Sequence, residues 1–225
     1  TKIINLSVEE QPTGEISLGA GIGTTGGVIG GGLKEKNFMG SGVTLDTNFQ
    51  ISEDGVKGSV TYAKPNFNYT DNTLFSSIKS TTEDKLSSSG YKITTAGFSI
   101  GTKFEQYENL FFSPEVDFTQ EDLTTNSSAS SSLKKQEGSY SDFYFNYGLI
   151  YDTRDSRFNP SKGSAFAFNQ EVPLISTDNE IKNTIRMSKY KSLNKSKNMI
   201  GKASFYFSAI NSLDGSDVRI SKRTR

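Results

Sequence analysis

Residues 8–42 read VEEQPTGEISLGAGIGTTGGVIGGGLKEKNFMGSG, and this stretch decides the fold. Two alternating runs, Glu15 to Thr24 and Gly27 to Phe38, flank the turn signal Thr24-Thr25-Gly26-Gly27. In the first run Ile16, Leu18, Ala20 and Ile22 share one face, while Ser17, Gly19, Gly21 and Gly23 share the other. Strand side chains alternate with period two, so the spacing predicts a two-faced strand. A row of glycines weakens a strand, because glycine packs nothing and loses much entropy on ordering. It makes sense where another object must come close or where weak pairing is wanted.

Working outward, the same alternation recurs along the chain. The pattern predicts strands over Val43 to Ile51, Gly58 to Lys64, Asn72 to Thr82, Tyr91 to Phe104, Leu110 to Asp122, Asp142 to Asp152, Gly163 to Pro173, Ile181 to Leu193 and Met199 to Ile210. With the first two runs this makes 11 strands of about ten residues, the length a tilted membrane strand needs. The apolar face is expected to carry Ile16, Leu18, Ala20, Ile22, Leu45, Phe49, Phe98, Ile100, Phe112, Phe118, Phe145 and Phe205. Arginine at Phe98 should therefore impair insertion, and arginine at Ser99 should not. The Ser-rich stretch from Leu123 to Ser141 reads as a long mobile loop. If the first strand runs outward, the outer connections are expected to be long and the inner ones short, with Thr153 to Gly163 the exception.

Composition narrows the function. The 225 residues hold 25 Lys plus Arg against 25 Asp plus Glu, which gives no hint of a nucleic-acid partner. The absence of Cys and His removes thiol chemistry, disulfides, the usual zinc sites and Ser-His-Asp catalysis. Hydrophobic content of 33% is low for a packed core. A transmembrane barrel needs apolar residues only at alternate positions, so it can be polar on average and still face lipid. No run approaches the ~20 apolar residues of a membrane helix. Thr1 opens directly into Lys2-Ile3-Ile4-Asn5-Leu6 with no signal peptide, so the chain is expected to start inside a longer protein.

Four motifs in register carry a resemblance over nearly all of the chain. They are the Val8-Glu9-Glu10 to Thr13-Gly14 junction, the glycine-alternating first strand, the turn Phe38-Met39-Gly40-Ser41-Gly42, and the aspartate-rich turn from Asp152 through Arg154, Asp155 and Pro160 to Gly163. In these the chain resembles the BamA family of outer-membrane barrel-assembly insertases. The resemblance implies an all-β, antiparallel transmembrane β-barrel, 16 strands when complete and partial here. Residues 1–14 would be the end of the last POTRA domain and its linker, and 15–225 the first two-thirds of the barrel. It implies an outer-membrane location with the POTRA side in the periplasm. The implied partners are unfolded outer-membrane barrel proteins, outer-membrane lipids and, through the POTRA arm, assembly-complex lipoproteins. No cofactor, metal or catalytic residue is implied, and no enzyme activity. Related assembly factors of the TamA type and two-partner secretion transporters share the architecture. A passive porin is the more distant alternative, and it would need no stretch like Lys2 to Gly14.

By that resemblance Glu15, Ile16, Ser17, Leu18, Gly19, Ala20, Gly21, Ile22 and Gly23 form a lateral gate that pairs with an incoming strand. An unpaired strand edge templates a new strand through its backbone N–H and C=O groups. Proline at Gly19 or Gly21 is then expected to delete a pairing N–H at that edge. Arg154, Asp155 and Arg157 read either as a metal or phosphate site or as a charged turn fixing its own shape. Asp46, Glu115, Asp117 and Glu121 read as carboxylates in a solvated lumen rather than a hydrolytic pair. The family's Val-Arg-Gly-aromatic loop tip is expected beyond the end of the sequence, which closes with Arg219-Ile220-Ser221-Lys222-Arg223-Thr224-Arg225.

Overall fold

Alternating sequence of this kind can satisfy its backbone only by pairing strand against strand, and the chain does so throughout. The computed structural model describes residues 11–23, 26–196 and 198–223, and most of the expected end of the last POTRA domain, residues 1–10, lies outside them. Eleven strands form a single sheet in sequence order: β1 (Gly14–Gly23), β2 (Gly26–Phe38), β3 (Val43–Ser52), β4 (Gly55–Lys64), β5 (Thr73–Lys85), β6 (Tyr91–Tyr107), β7 (Leu110–Thr125), β8 (Gly138–Asp152), β9 (Gly163–Ile175), β10 (Glu180–Ser192) and β11 (Ile200–Ser212). Every neighbouring pair is antiparallel.

The register puts one set of side chains on one face from end to end. Ile16 pairs with Leu33, Leu33 with Thr47 and Thr47 with Val60. Val60 pairs with Ile78, Ile78 with Phe98 and Phe98 with Phe118. The same row runs on through Phe143. All twelve residues expected on the apolar face lie on it. Most of them stand free of other protein: Ile16, Leu18, Ile22, Phe49, Phe98, Ile100, Phe118 and Phe205 are exposed, while Phe112 and Phe145 are half-buried beside Tyr147. The buried hydrophobic residues among those described are only Val43, Tyr91, Ile93, Leu123, Ala129 and Tyr144. A continuous apolar face of this extent demands lipid rather than water. No described helix is long and apolar enough to cross a membrane, which says nothing of strands.

Three sequence expectations change. The stretch from Leu123 to Ser141 is not one long loop. β7 runs to Thr125, β8 starts at Gly138, and a helical turn, α1 (Ser131–Lys134), sits between them, its first turn capped by the Ser130 hydroxyl. Ser and Thr pair in ladders as readily as they solvate loops, so composition misplaced the strand ends. For the same reason the length asymmetry of the connections is absent. Among the described residues one rim carries 53–54, 86–90, 126–137 and 176–179; the other carries 39–42, 65–72, 108–109, 153–162, 193–196 and 198–199. These are called the Arg219 rim and the Met39 rim below. Finally, Ser99 is only 5% exposed and stands opposite Asp117, so it is not an open lumen site for arginine.

The lipid-face assignment predicts a contrast. Phe98→Arg should cost about 2–4 kcal/mol of insertion free energy at mid-depth. Ser113→Arg, on the inner face beside Glu115, should cost little. Folded fractions in liposomes measure both; equal tolerance would show the faces misassigned.

Candidate functional site

The turn motifs fix their own shapes. In the 39–42 turn Met39, Gly40 and Gly42 all have positive φ, and the Gly42 N–H donates to Asn37 Oδ1 at 2.7 Å. Phe38 pairs with Val43 past a register shift in β2. In the 153–162 turn Arg154 grips Asp152 with Nε at 2.8 Å and Nη2 at 2.7 Å. Asp155 accepts from the Ser161 hydroxyl and from the backbone N–H groups of Ser161 and Lys162, at 2.8 and 3.2 Å. Pro160 precedes Ser161, and Gly163 has φ +97° where a Cβ would strike Thr153 O at 2.3 Å. No group of metal ligands occurs among the described residues.

Asp155 sets a pH window. The Ser161 hydroxyl, then the backbone donors, lower its pKa to about 2. A carboxylate depressed below its ordinary value of about 4 contributes fully above that value and loses its contribution as pH falls toward 2. Protease cleavage within 153–162 should rise between pH 4 and 2 in the native chain. Asp155→Asn should be cleaved readily at neutral pH.

At the edge of the sheet, β1 meets β2 from Gly14↔Glu35 to Gly23↔Gly26 without a register shift. Its other side has no partner among the described residues. The phase of the ladder follows from one bond beyond the strand, Lys36 N–H to Thr13 O at 3.2 Å. In an antiparallel ladder hydrogen-bonded and non-bonded pairs alternate. Thr13, Glu15, Ser17, Gly19, Gly21 and Gly23 therefore spend their backbone groups on β2. Gly14, Ile16, Leu18, Ala20 and Ile22 turn theirs outward to the open edge. This corrects the expectation for proline at Gly19 or Gly21, which would break the β1–β2 hairpin and leave the open edge intact.

The glycines of the hairpin differ in kind. A Cβ at Gly31 would strike Leu18 at 2.7 Å, and one at Gly32 would strike Asn48 at 2.7 Å, so these two are needed for packing. Nothing lies within 4 Å of a Cβ at Gly19 or Gly21. The inner side of β1 at Gly19 and Gly21 is thus open space rather than a close contact, and the strand is held mainly by backbone and by its outward Ile and Leu, with one long bond from the Ser17 hydroxyl to Gly32 O at 3.5 Å.

A second constellation was not legible in the sequence. The segment after β11 returns over the inner face and buries Arg219, which is 1% exposed. Its Nη1 lies 3.3 Å from Glu121 Oε1, Nη2 reaches Asp142, and Nε makes an ion pair without a hydrogen bond to Asp178. The Arg219 N–H donates to Glu180 Oε1 at 3.1 Å, and the guanidinium stacks 4.1 Å from the Tyr140 ring. Ser221 donates to Glu121 at 2.7 Å, and Lys222 stands 3.5 Å from Asp142. Glu121 is 2% exposed, so the expectation of a solvated carboxylate fails there; Asp117, 5% exposed and 2.8 Å from Lys79, fails it too. Asp46, 3.5 Å from Lys34, stays on the wetter part of the inner face.

Comparison with known proteins agrees with this architecture. The solved structure of BamA from Haemophilus ducreyi lacking POTRA domains 1–3 matches with a TM-score of 0.80 and 22% identity, covering 95% of this chain and 44% of that one. The chain thus spans less than half of the chain it matches. The model of the Omp85 superfamily domain matches residues 37–223, most of the sequence, and the protein belongs to the Omp85 superfamily.

Proposed function

We propose that this chain is the first part of an outer-membrane insertase barrel, and that the open edge of β1 receives the strands of client barrel proteins. One observation carries the reading. The backbone groups of Ile16, Leu18, Ala20 and Ile22 point away from β2 along the only edge where β1 can accept a strand. In lipid an unpaired N–H or C=O costs several kcal/mol, so such an edge is a strong template for an arriving strand. The open inner side of Gly19 and Gly21 supports the same reading, since a closure without side-chain packing is easily undone.

Residues 1–14 then form the end of the last POTRA domain and its linker, and 15–225 the first two-thirds of a 16-strand barrel. With the POTRA side in the periplasm, the Met39 rim, where the chain enters β1, is the periplasmic one and the Arg219 rim lies outside the cell. Clients are unfolded outer-membrane barrel proteins, and the arm recruits lipoproteins of the assembly complex. The work is done by backbone pairing, without cofactor or covalent chemistry. Cysteine trapping tests it. In the complete protein Ala20→Cys should form a disulfide with a cysteine in the terminal strand of a client during assembly. Phe145→Cys, on the outer face of β8, should form none. Adducts equally frequent at both positions would count against a gate at β1.

A further inference from the structure

The outer face is not apolar along its whole height, and its two ends differ in charge. Toward the Arg219 rim its charged groups are already occupied: Lys92 stands 3.3 Å from Asp84, and Asp122 accepts from the Ser139 hydroxyl. Toward the Met39 rim the β10–β11 hairpin presents two exposed lysines, Lys189 and Lys191. Register places both on the outer face, in the row that continues Ile185 and Met187. Neither has an ion-pair partner among the described residues. The other cations of these two strands are engaged on the inner face: Arg186 lies over Tyr206, Lys202 over Tyr190, and Lys182 stands 3.1 Å from Glu171.

Their surroundings have the shape of a headgroup notch. Across the ladder Lys189 is flanked by Ser164 and Ala203, and Lys191 by Gly201, all small. On the membrane side the notch is floored by Met187 and Phe205, 47% and 56% exposed. On the rim side Leu193 lies over Gly201. A lysine one ladder step beyond an apolar band keeps its stem on the hydrocarbon and lifts its ammonium to the phosphate layer. We propose that Lys189 and Lys191 form a binding site for the phosphate of an anionic glycerophospholipid in the leaflet at the Met39 rim. The choice of leaflet rests on the orientation proposed above.

Each lysine at an anionic surface contributes about 1 kcal/mol, a factor of about five, so the pair should favour an anionic over a zwitterionic lipid by roughly 30-fold. The test is native mass spectrometry of the complete protein from micelles containing equimolar phosphatidylglycerol, phosphatidylcholine and lipid A. Wild type should retain phosphatidylglycerol, and high salt should release it. The double variant Lys189→Gln/Lys191→Gln should retain no more phosphatidylglycerol than phosphatidylcholine, while its unfolding temperature stays at the wild-type value. Lys189→Arg/Lys191→Arg should restore retention. Unchanged retention in the glutamine variant overturns the site. Preferential retention of lipid A by wild type, lost in that variant, overturns the leaflet and with it the orientation. Neither readout involves the edge of β1, so failure of the gate reading would leave the phosphate site standing.

Discussion

Arg219→Ala should release the segment after β11 from the inner face. The side chain it removes is the counter-charge for Glu121, Asp142 and Asp178, of which Asp142 is 0% and Glu121 2% exposed. Removing one partner of a buried ion pair costs about 3–5 kcal/mol, because the carboxylates left behind lose their main counter-charge without gaining water. Lys222 cannot make up the loss, since it reaches only Asp142 at 3.5 Å. In the complete protein, trypsin should therefore cut the variant at Lys222 and Arg223 at a rate at which wild type survives. Arg219→Lys should be intermediate, because an ammonium keeps the charge and loses the fork. Combining Arg219→Ala with Asp142→Asn should recover part of the protection, since it removes one stranded carboxylate. If Arg219→Ala is as resistant as wild type, the segment is held by Ile220 N–H to Gln136 and the packing of Ile220 near Tyr91, Ile93 and Leu123, not by charge.

That network also shows where sequence reading stops. The strands and their lipid face were legible because alternation is local: Phe98 and Ile100 report their orientation through their neighbours alone. The partners of Arg219 are Glu121 and Asp142 on β7 and β8, Asp178 in the turn before β10, and Glu180 on β10 itself. They lie far apart in sequence and meet only once the sheet is formed and a later segment folds back over it. Nothing in Glu115, Asp117 or Glu121 marks which carboxylate will be covered. Strand ends failed for a different reason. Thr124, Thr125, Ser139 and Ser141 extend β7 and β8, and their side chains suit a ladder and a solvated loop equally well. The phase of the β1–β2 ladder was hidden too. Alternation tells which side chains share a face, but not which backbone groups point outward along the edge.

That phase decides how the gate should be tested. Ala20→Pro should abolish client assembly while the barrel still folds and inserts. Ala20 stands opposite Ile29 in a non-bonded pair, so its N–H is not used by β2 and a proline ring there leaves the hairpin intact. What it removes is a donor at the open edge. A client strand pairing across it would bury an unsatisfied carbonyl in lipid, at several kcal/mol by the usual cost of such groups, or roughly 100-fold or more in rate. Ala20→Val keeps the N–H and should assemble clients normally. Gly21→Pro should fail earlier and differently, because the Gly21 N–H belongs to the bond with Val28 and its loss opens the hairpin itself. The two prolines sit one residue apart and should separate two measurements: insertion of the barrel, read by its folded fraction, and assembly of a client, read by its folding rate. Ala20→Pro working at the wild-type rate in a fully inserted barrel would rule out pairing along this edge. If both prolines instead block insertion alike, β1 is closed by a strand that uses the Ala20 N–H permanently, and its edge is a seam rather than a gate.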